Sequence, residues 1–155
     1  MKPDLEATIR AVEALAPRRA SVTRHDVRPI LLSIGGSLLA GRSEEIGDAA
    51  DRLRALPGAL RESWDAAVRD ELSMACTEYV RSVDPRFVNH PQYDLAYALE
   101  ARFQLEARWR ACAYLEPAQV EASTAAVARA DAILEGRRDL NVREWLKNRI
   151  TGALR

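Results

Sequence analysis

The feature that most constrains the fold is an apolar stripe at helical spacing over residues 58–83. Apolar residues recur there every three or four positions, which is the period of one face of an α-helix. The stripe consists of Leu60, Trp64, Ala67, Val68, Leu72, Ala75, Tyr79 and Val83. It predicts one long helix that buries a single face, followed by a break at Asp84-Pro85.

The same spacing predicts helices over most of the remaining chain. They cover residues 4–16, 27–40, 43–56, 91–115, 117–135 and 141–155. Gly136 is predicted to end the helix over 117–135. Only 7 Gly and 7 Pro are present, too few for the many turns of an all-β fold. We therefore predict an all-α fold, an up-and-down bundle of six or seven helices. It forms a single domain over residues 1–155, in which 139–155 is a candidate for a separately docking C-terminal helix.

Residues 27–40 admit two interpretations, a helix or two strands that turn at Gly35-Gly36. A lone hairpin is marginally stable, so the helix is favoured. The segment Gly36 to Ser43 also has the spacing of a phosphate-binding loop, with Arg42 in place of lysine. Because Arg does not replace that lysine cleanly and no parallel sheet is predicted, we expect a helix end at Gly41 instead.

Several classes of site lack the residues they need. Cys76 and Cys112 have no C-x-x-C spacing and are expected to be reduced core residues. With two histidines, His25 and His90, neither a zinc site nor a catalytic triad is indicated. No catalytic residue and no cofactor is predicted. The longest apolar run, residues 30–40, is shorter than the roughly 20 residues that cross a bilayer, so we expect no membrane span and a cytoplasmic protein.

Charge is unevenly distributed although the formal net charge is zero. Residues 17–42 and 136–155 are basic, whereas residues 43–71 carry eight acids against four Arg. Pairing of these blocks within the fold is the favoured interpretation. The alternative is a nucleic-acid-binding subunit that uses basic clusters at 18–28 and 137–149. Its candidate phosphate ligands are Arg18, Arg19, Arg137, Arg138, Arg143 and Lys147.

A second alternative rests on two E-x-x-D units, in which Glu45 precedes Asp48 and Glu62 precedes Asp65. Acidic pairs on facing helices can hold Mg²⁺. In spacing the chain resembles the all-α nucleoside triphosphate pyrophosphohydrolases of the MazG type, which usually carry E-x-x-E followed by E-x-x-D. It departs from that pattern because its first unit ends in Asp. The resemblance implies magnesium-dependent cleavage of a nucleoside triphosphate, with these four carboxylates as metal ligands. A solvated charged face explains the same residues.

The C-terminal segment carries an apolar face centred on Trp145, with Leu146 and Ile150 beside it. Such a helix can pack on its own bundle or dock on a protein partner, and these three residues are the predicted partner contacts. The predicted helix at 91–115 is apolar on more than one side, which favours a central or intersubunit position. The best-supported function is a non-catalytic bundle that acts through protein–protein contacts, as a small subunit, an adaptor or a homo-oligomer.

Overall fold

The computed structural model describes residues 3–18, 20–84, 95–117, 120 and 124–139. Those ranges contain six α-helices and no β-strand, which confirms the predicted all-α helical bundle. The helices are α1 (Pro3–Glu13), α2 (Arg24–Leu39), α3 (Gly47–Arg54), α4 (Gly58–Ser82), α5 (Leu95–Leu115) and α6 (Thr124–Asp139). Short 3₁₀ helices at Ala16–Arg18 and Ser43–Ile46 lie between them. None of the described helices has both the length and the apolarity that a bilayer crossing requires.

The chain divides into two compact units. Unit 1 comprises Met1–Ala75 with Gln104–Ala122, and unit 2 comprises Cys76–Phe103 with Ser123–Arg155. The long helices α4 and α5 therefore each contribute residues to both units. The single domain predicted over residues 1–155 stays a prediction.

Unit 1 is built on an apolar core to which α1, α2 and α3 contribute. Helix α1 packs against both α2 and α3. The side chains that are buried here include Ile9, Val12, Ile30, Leu31, Ile34, Leu53 and Trp64. An ion-pair network reinforces the α1–α3 contact, because Arg52 donates from Nη1 to Glu6 Oε2 at 2.7 Å and from Nε to Glu13 Oε1 at 3.1 Å.

The start of α2 differs from the prediction, since the helix begins at Arg24 rather than at residue 27. Asp26 Oδ2 accepts hydrogen bonds from Thr23 N at 2.8 Å and from the Thr23 hydroxyl at 2.9 Å. This interaction satisfies groups at the helix start and explains why helix continues upstream of Pro29. Pro29 lies in the second turn of α2. The segment between α1 and α2 is therefore shorter than predicted, and Arg24 and Arg28 of the basic cluster at 18–28 are helical.

The end of α2 confirms the helical interpretation of residues 27–40. Gly36 and Leu39 lie within the helix, so this part of the phosphate-loop spacing forms no loop. Gly41 follows with φ of 75°, the left-handed conformation that commonly terminates a helix. Cys76 and Cys112 are buried thiols, as predicted. Burial raises the pKa of the Cys112 thiol to about 12, so the side chain packs as a neutral core residue.

Unit 2 contains a polar network that joins α4, α5 and α6. The Tyr79 hydroxyl, on a fully buried side chain, donates to Asp131, and Arg102 Nε donates to the same carboxylate at 2.9 Å. Burial, and then the Asp131 contact, raises the pKa of Tyr79 above its usual value. Arg137 Nη1 donates to the carbonyl oxygen of Ser82 at 3.1 Å, which satisfies an acceptor at the end of α4.

Two predicted bounds of α6 need correction. Helix α6 continues through Gly136 to Asp139, so Gly136 does not end it, and the helical segment starts later than residue 117. A Cβ at Gly136 would meet no neighbouring atom, which fits an ordinary exposed helix position. Helix α5 was predicted to be apolar on more than one side, and its Phe103 is 50% exposed, so this apolar surface is not fully covered within the described residues.

Candidate functional site

The candidate site is centred on a buried carboxylate in α4. Glu71 is only 1% exposed, although it belongs to a helix whose other buried positions in unit 1 are apolar. It lies one turn after Ala67 and Val68 and one turn before Ala75. This register turns its side chain toward the core of unit 1. A buried carboxylate is costly unless cations and hydrogen-bond donors compensate it.

Three arginines from two other helices provide that compensation. Arg28 of α2 donates from Nε to Glu71 Oε1 at 2.9 Å. Arg108 of α5 donates from Nε to the same oxygen at 2.9 Å, and its Nη2 is 2.8 Å from it. Arg24 of α2 is an ion-pair partner whose Nε lies 3.7 Å from Glu71 Oε2. We call these four residues the Glu71 cluster.

The two oxygens of Glu71 are unequally engaged. Oε1 accepts from both Arg28 and Arg108, whereas Oε2 is buried and accepts no hydrogen bond. The 3.7 Å separation of Arg24 Nε from Oε2 is beyond the hydrogen-bond range. The electrostatic attraction is present, but Arg24 is held less tightly than Arg28.

The three arginines differ in how much of the guanidinium is buried and hydrogen-bonded within the protein. Arg108 is buried, and its Nη1 donates to the carbonyl and side-chain oxygens of Gln104 at 2.8 and 3.1 Å. In contrast, the side chains of Arg24 and Arg28 are 29% and 45% exposed. Glu71 is their only ion-pair partner among the described residues. Their Nη groups are therefore available to an external anion.

Charge is not balanced within the Glu71 cluster. Three guanidinium groups against one carboxylate leave a net charge of +3 − 1 = +2. Asp26 of the same helix keeps its negative charge, but its carboxylate accepts hydrogen bonds from Thr23 at the start of α2 and forms no ion pair with Arg24 or Arg28. The excess lies on the solvent side, because the exposed members Arg24 and Arg28 both carry positive charge. Arginine forks of this kind suit carboxylate and phosphate groups by bidentate geometry.

Two partly exposed apolar side chains of unit 1 lie on the helices that carry Arg24, Arg28 and Glu71. Leu32 is one turn after Arg28 on the same face of α2, and it is half-buried. Met74 is one turn after Glu71 on α4 and is 49% exposed, one of four large apolar side chains so exposed among the described residues.

The predicted nucleic-acid ligands are not gathered into one described basic face. Arg18 is exposed in the first 3₁₀ helix, and Arg137 of unit 2 donates to Ser82. Arg138 belongs to α6, but its side chain lies outside the described part. Arg19, Arg143 and Lys147 lie outside the described residues as well. Internal pairing was the favoured interpretation of the charge blocks, and Arg24 and Arg28 do pair with Glu71 of the acidic block.

The four candidate metal ligands are exposed or engaged in ion pairs. Glu45 and Glu62 are exposed. Asp48 lies 3.9 Å from Arg52 Nη1, and Asp65 lies 3.2 Å from Arg61 Nε. Within the described ranges, no group of three or more Asp, Glu, His or Cys side chains is arranged to hold a metal ion. The pyrophosphohydrolase alternative stays a prediction without support from this geometry.

The predicted protein-contact residues cannot be placed. Trp145, Leu146 and Ile150 lie outside the described residues, as do His90 and residues 85–94. Sequence reasoning also missed Glu71 and Arg108, which carry the candidate site. A detectable signal was present, because each is a charged residue at a core position of its helix. Arg108 lies between Leu105 and Cys112 on the buried face of α5, and its charge is opposite to that of Glu71.

Comparison with known proteins adds no family or relative to this description. No protein-family model matches the sequence, and neither a curated protein nor a solved structure matches it.

Proposed function

We propose that this chain is a non-catalytic helical protein that acts through contacts with a partner protein, as a small subunit or adaptor. Arg24 and Arg28 are the proposed contact residues, and they bind carboxylate groups of the partner. The observation that carries the proposal is the uncompensated charge of the Glu71 cluster. Two partly exposed guanidiniums share one buried carboxylate and keep their outer N–H groups for another acid. The expected cytoplasmic location belongs to the same proposal.

Glu71 and Arg108 have a supporting role in this proposal. Glu71 holds Arg28 through a 2.9 Å hydrogen bond, and Arg108 holds Glu71 from the opposite helix. A side chain that is already oriented loses less rotamer entropy when a partner binds. The buried pair therefore presents Arg28 in a fixed position, while Arg24 can adjust to the incoming group.

Two observations favour an acidic protein segment over a nucleic acid. The excess positive charge of the Glu71 cluster is confined to that cluster, since the chain as a whole has a formal net charge of zero. A nucleic acid presents a long array of phosphates and is bound by extended basic faces. Half-buried Leu32, one turn after Arg28 on α2, also suits a protein partner, since protein interfaces bury apolar side chains and are enriched in Arg.

The test is a binding titration with poly-L-glutamate at low salt, followed by fluorescence anisotropy. The double variant Arg24→Gln/Arg28→Gln removes the proposed contacts. The matched control is Arg10→Gln/Arg110→Gln, which removes two exposed arginines that each pair with a glutamate four residues away. We expect binding by the wild type and the control, and a loss of at least about tenfold in the test variant.

A short DNA duplex serves as the competing probe in the same titration. Absence of poly-L-glutamate binding, or an equal loss in both double variants, would contradict the proposal. Tighter binding of the duplex that is lost in Arg24→Gln/Arg28→Gln would replace it with the nucleic-acid alternative. Circular dichroism and thermal unfolding of each variant show whether a loss of binding is a loss of fold.

A further inference from the structure

We infer that the acidic group that Arg24 and Arg28 bind most tightly is a phosphomonoester, carried on a phosphorylated serine of the partner protein. This inference rests on the proposed function, in which the two arginines bind acids of a partner, and it names the preferred acid. It is carried by the convergence of both arginines on one carboxylate. Arg28 Nε lies 2.9 Å from Glu71 Oε1, and Arg24 Nε lies 3.7 Å from Glu71 Oε2.

The shared carboxylate brings the two guanidiniums close together. Arg24 and Arg28 are on successive turns of α2, so their side chains leave the same face of the helix. Both Nε groups approach Glu71, and the side chains stay 29% and 45% exposed, which leaves their Nη groups for an external anion. Two arginine forks that converge on one acid inside the protein are placed to converge on one acid outside it.

A phosphomonoester satisfies two forks better than a carboxylate does. It has three acceptor oxygens and roughly −1.5 to −2 charges at pH 7, whereas a carboxylate has two oxygens and a single charge. One carboxylate matches one bidentate fork, so a second acidic residue would be needed for the other arginine. Arg108 offsets the charge of Glu71 from α5, so Arg24 and Arg28 carry the excess positive charge of the cluster. Two positive charges match a phosphate dianion.

The neighbouring acids do not bind these two arginines. Asp26 is two positions after Arg24, so its side chain leaves α2 on another face, where it accepts hydrogen bonds from Thr23. Asp70 precedes Glu71 on α4 and is exposed, and among the described residues it forms no ion pair with either arginine. Both acids weaken any long-range positive field here. The preference therefore depends on direct contact with the two forks, which suits a single phosphomonoester rather than a polyanion.

Two fluorescein-labelled peptides of the same sequence, with glutamate or phosphoserine at the central position, test the inference on the intact chain. We expect the phosphoserine peptide to bind about tenfold more tightly, the effect of one additional charge-assisted hydrogen bond. Arg24→Gln/Arg28→Gln should abolish this preference. The control Arg10→Gln/Arg110→Gln should leave it intact, because each of these arginines pairs with a glutamate of its own helix. Arg24→Lys/Arg28→Lys keeps both charges but loses the forks, so it should reduce the preference.

Circular dichroism shows whether each variant is folded. If Arg24→Gln/Arg28→Gln is unfolded, Arg24→Gln alone provides the test, because Arg24 lies beyond hydrogen-bond range of Glu71. This single variant should still reduce the preference for the phosphoserine peptide, since one of the two forks is lost.

The outcomes separate this inference from the proposed function. Equal affinity of the wild type for the two peptides, lost in Arg24→Gln/Arg28→Gln, would overturn the inference and leave the proposed function standing. Failure of both peptides to bind would overturn the proposed function itself. A preference that survives in a folded Arg24→Gln/Arg28→Gln variant would overturn the assignment of the phosphate contact to this site. Displacement of the phosphoserine peptide by an equal concentration of inorganic phosphate would identify a small phosphate compound as the ligand and overturn the assignment to a partner protein.

Discussion

Gly35 of α2 lies directly against the backbone of Ala107 in α5. A Cβ added at Gly35 would overlap the carbonyl group of Ala107 and would lie 2.7 Å from its Cα atom. Both partners are backbone groups, so no flexible side chain can move aside. The adjacent Gly36 differs, since a Cβ there would meet no atom within 4 Å. The pair Gly35-Gly36 therefore has one glycine required by packing and one that is not.

The first prediction compares alanine substitutions at these two positions. Gly35→Ala should destabilise the protein by about 3 kcal/mol or more, because α2 and α5 must separate to admit the methyl group. Gly36→Ala should be neutral or should stabilise by roughly 0.5–1 kcal/mol, because alanine is the better helix former. Urea unfolding of the two variants measures the difference. Equal effects on the free energy of unfolding would contradict the close approach of α2 and α5.

The second prediction concerns the buried pair of Glu71 and Arg108. Glu71→Met should cost roughly 3–5 kcal/mol, because it leaves the Arg108 guanidinium buried without its carboxylate. The double variant Glu71→Met/Arg108→Met removes both charges and should recover most of that loss. A double-mutant cycle, with unfolding free energies from chemical denaturation, measures the interaction free energy between Glu71 and Arg108. If the two substitutions are additive, Glu71 and Arg108 do not form the pair described above.

The third prediction is a pH dependence of stability from the α1–α3 contact. The hydrogen bond from Arg52 holds the pKa of the Glu6 carboxyl below the usual value for a glutamate. A carboxyl whose folded-state pKa is depressed stabilises the fold above its unfolded pKa, and this contribution disappears as the pH falls through the folded value. Glu6→Gln should therefore flatten the decline in unfolding free energy below about pH 4.5. Glu62→Gln, at an exposed position, should leave the wild-type profile unchanged.

The helices could be predicted from the sequence because their signals are local. The stripe from Leu60 to Val83 fixes the face of α4 within one helix, and the helical interpretation of residues 27–40 needed only the instability of a lone hairpin. Helix ends were less predictable. The contact of Thr23 with the Asp26 side chain places the start of α2 upstream of the predicted residue. Gly136 is helical, because the backbone there does not adopt a left-handed conformation.

The candidate site was harder to predict because it depends on pairing between helices. Glu71 and Arg108 are 37 residues apart, and only the packing of α4 against α5 brings their side chains together. In isolation each resembles one of the many solvated charges of the chain. Arg24 and Arg28 were recognised as basic, but their relation to a buried acid was not. The register of Glu71 and Arg108 on apolar faces was the available signal.

The measurement that tests the proposed contact most directly is the NMR signal of the arginine Nε–H groups during titration with poly-L-glutamate. The Nε–H resonances of Arg24 and Arg28 should shift in a saturable way, because these guanidiniums bind the added carboxylates. Those of Arg10 and Arg110 should shift less, because each pairs with a glutamate of its own helix, whereas Arg24 and Arg28 share the single carboxylate of Glu71. Equal shifts of all four, or no shift of Arg24 and Arg28 at saturating ligand, would contradict the proposed function.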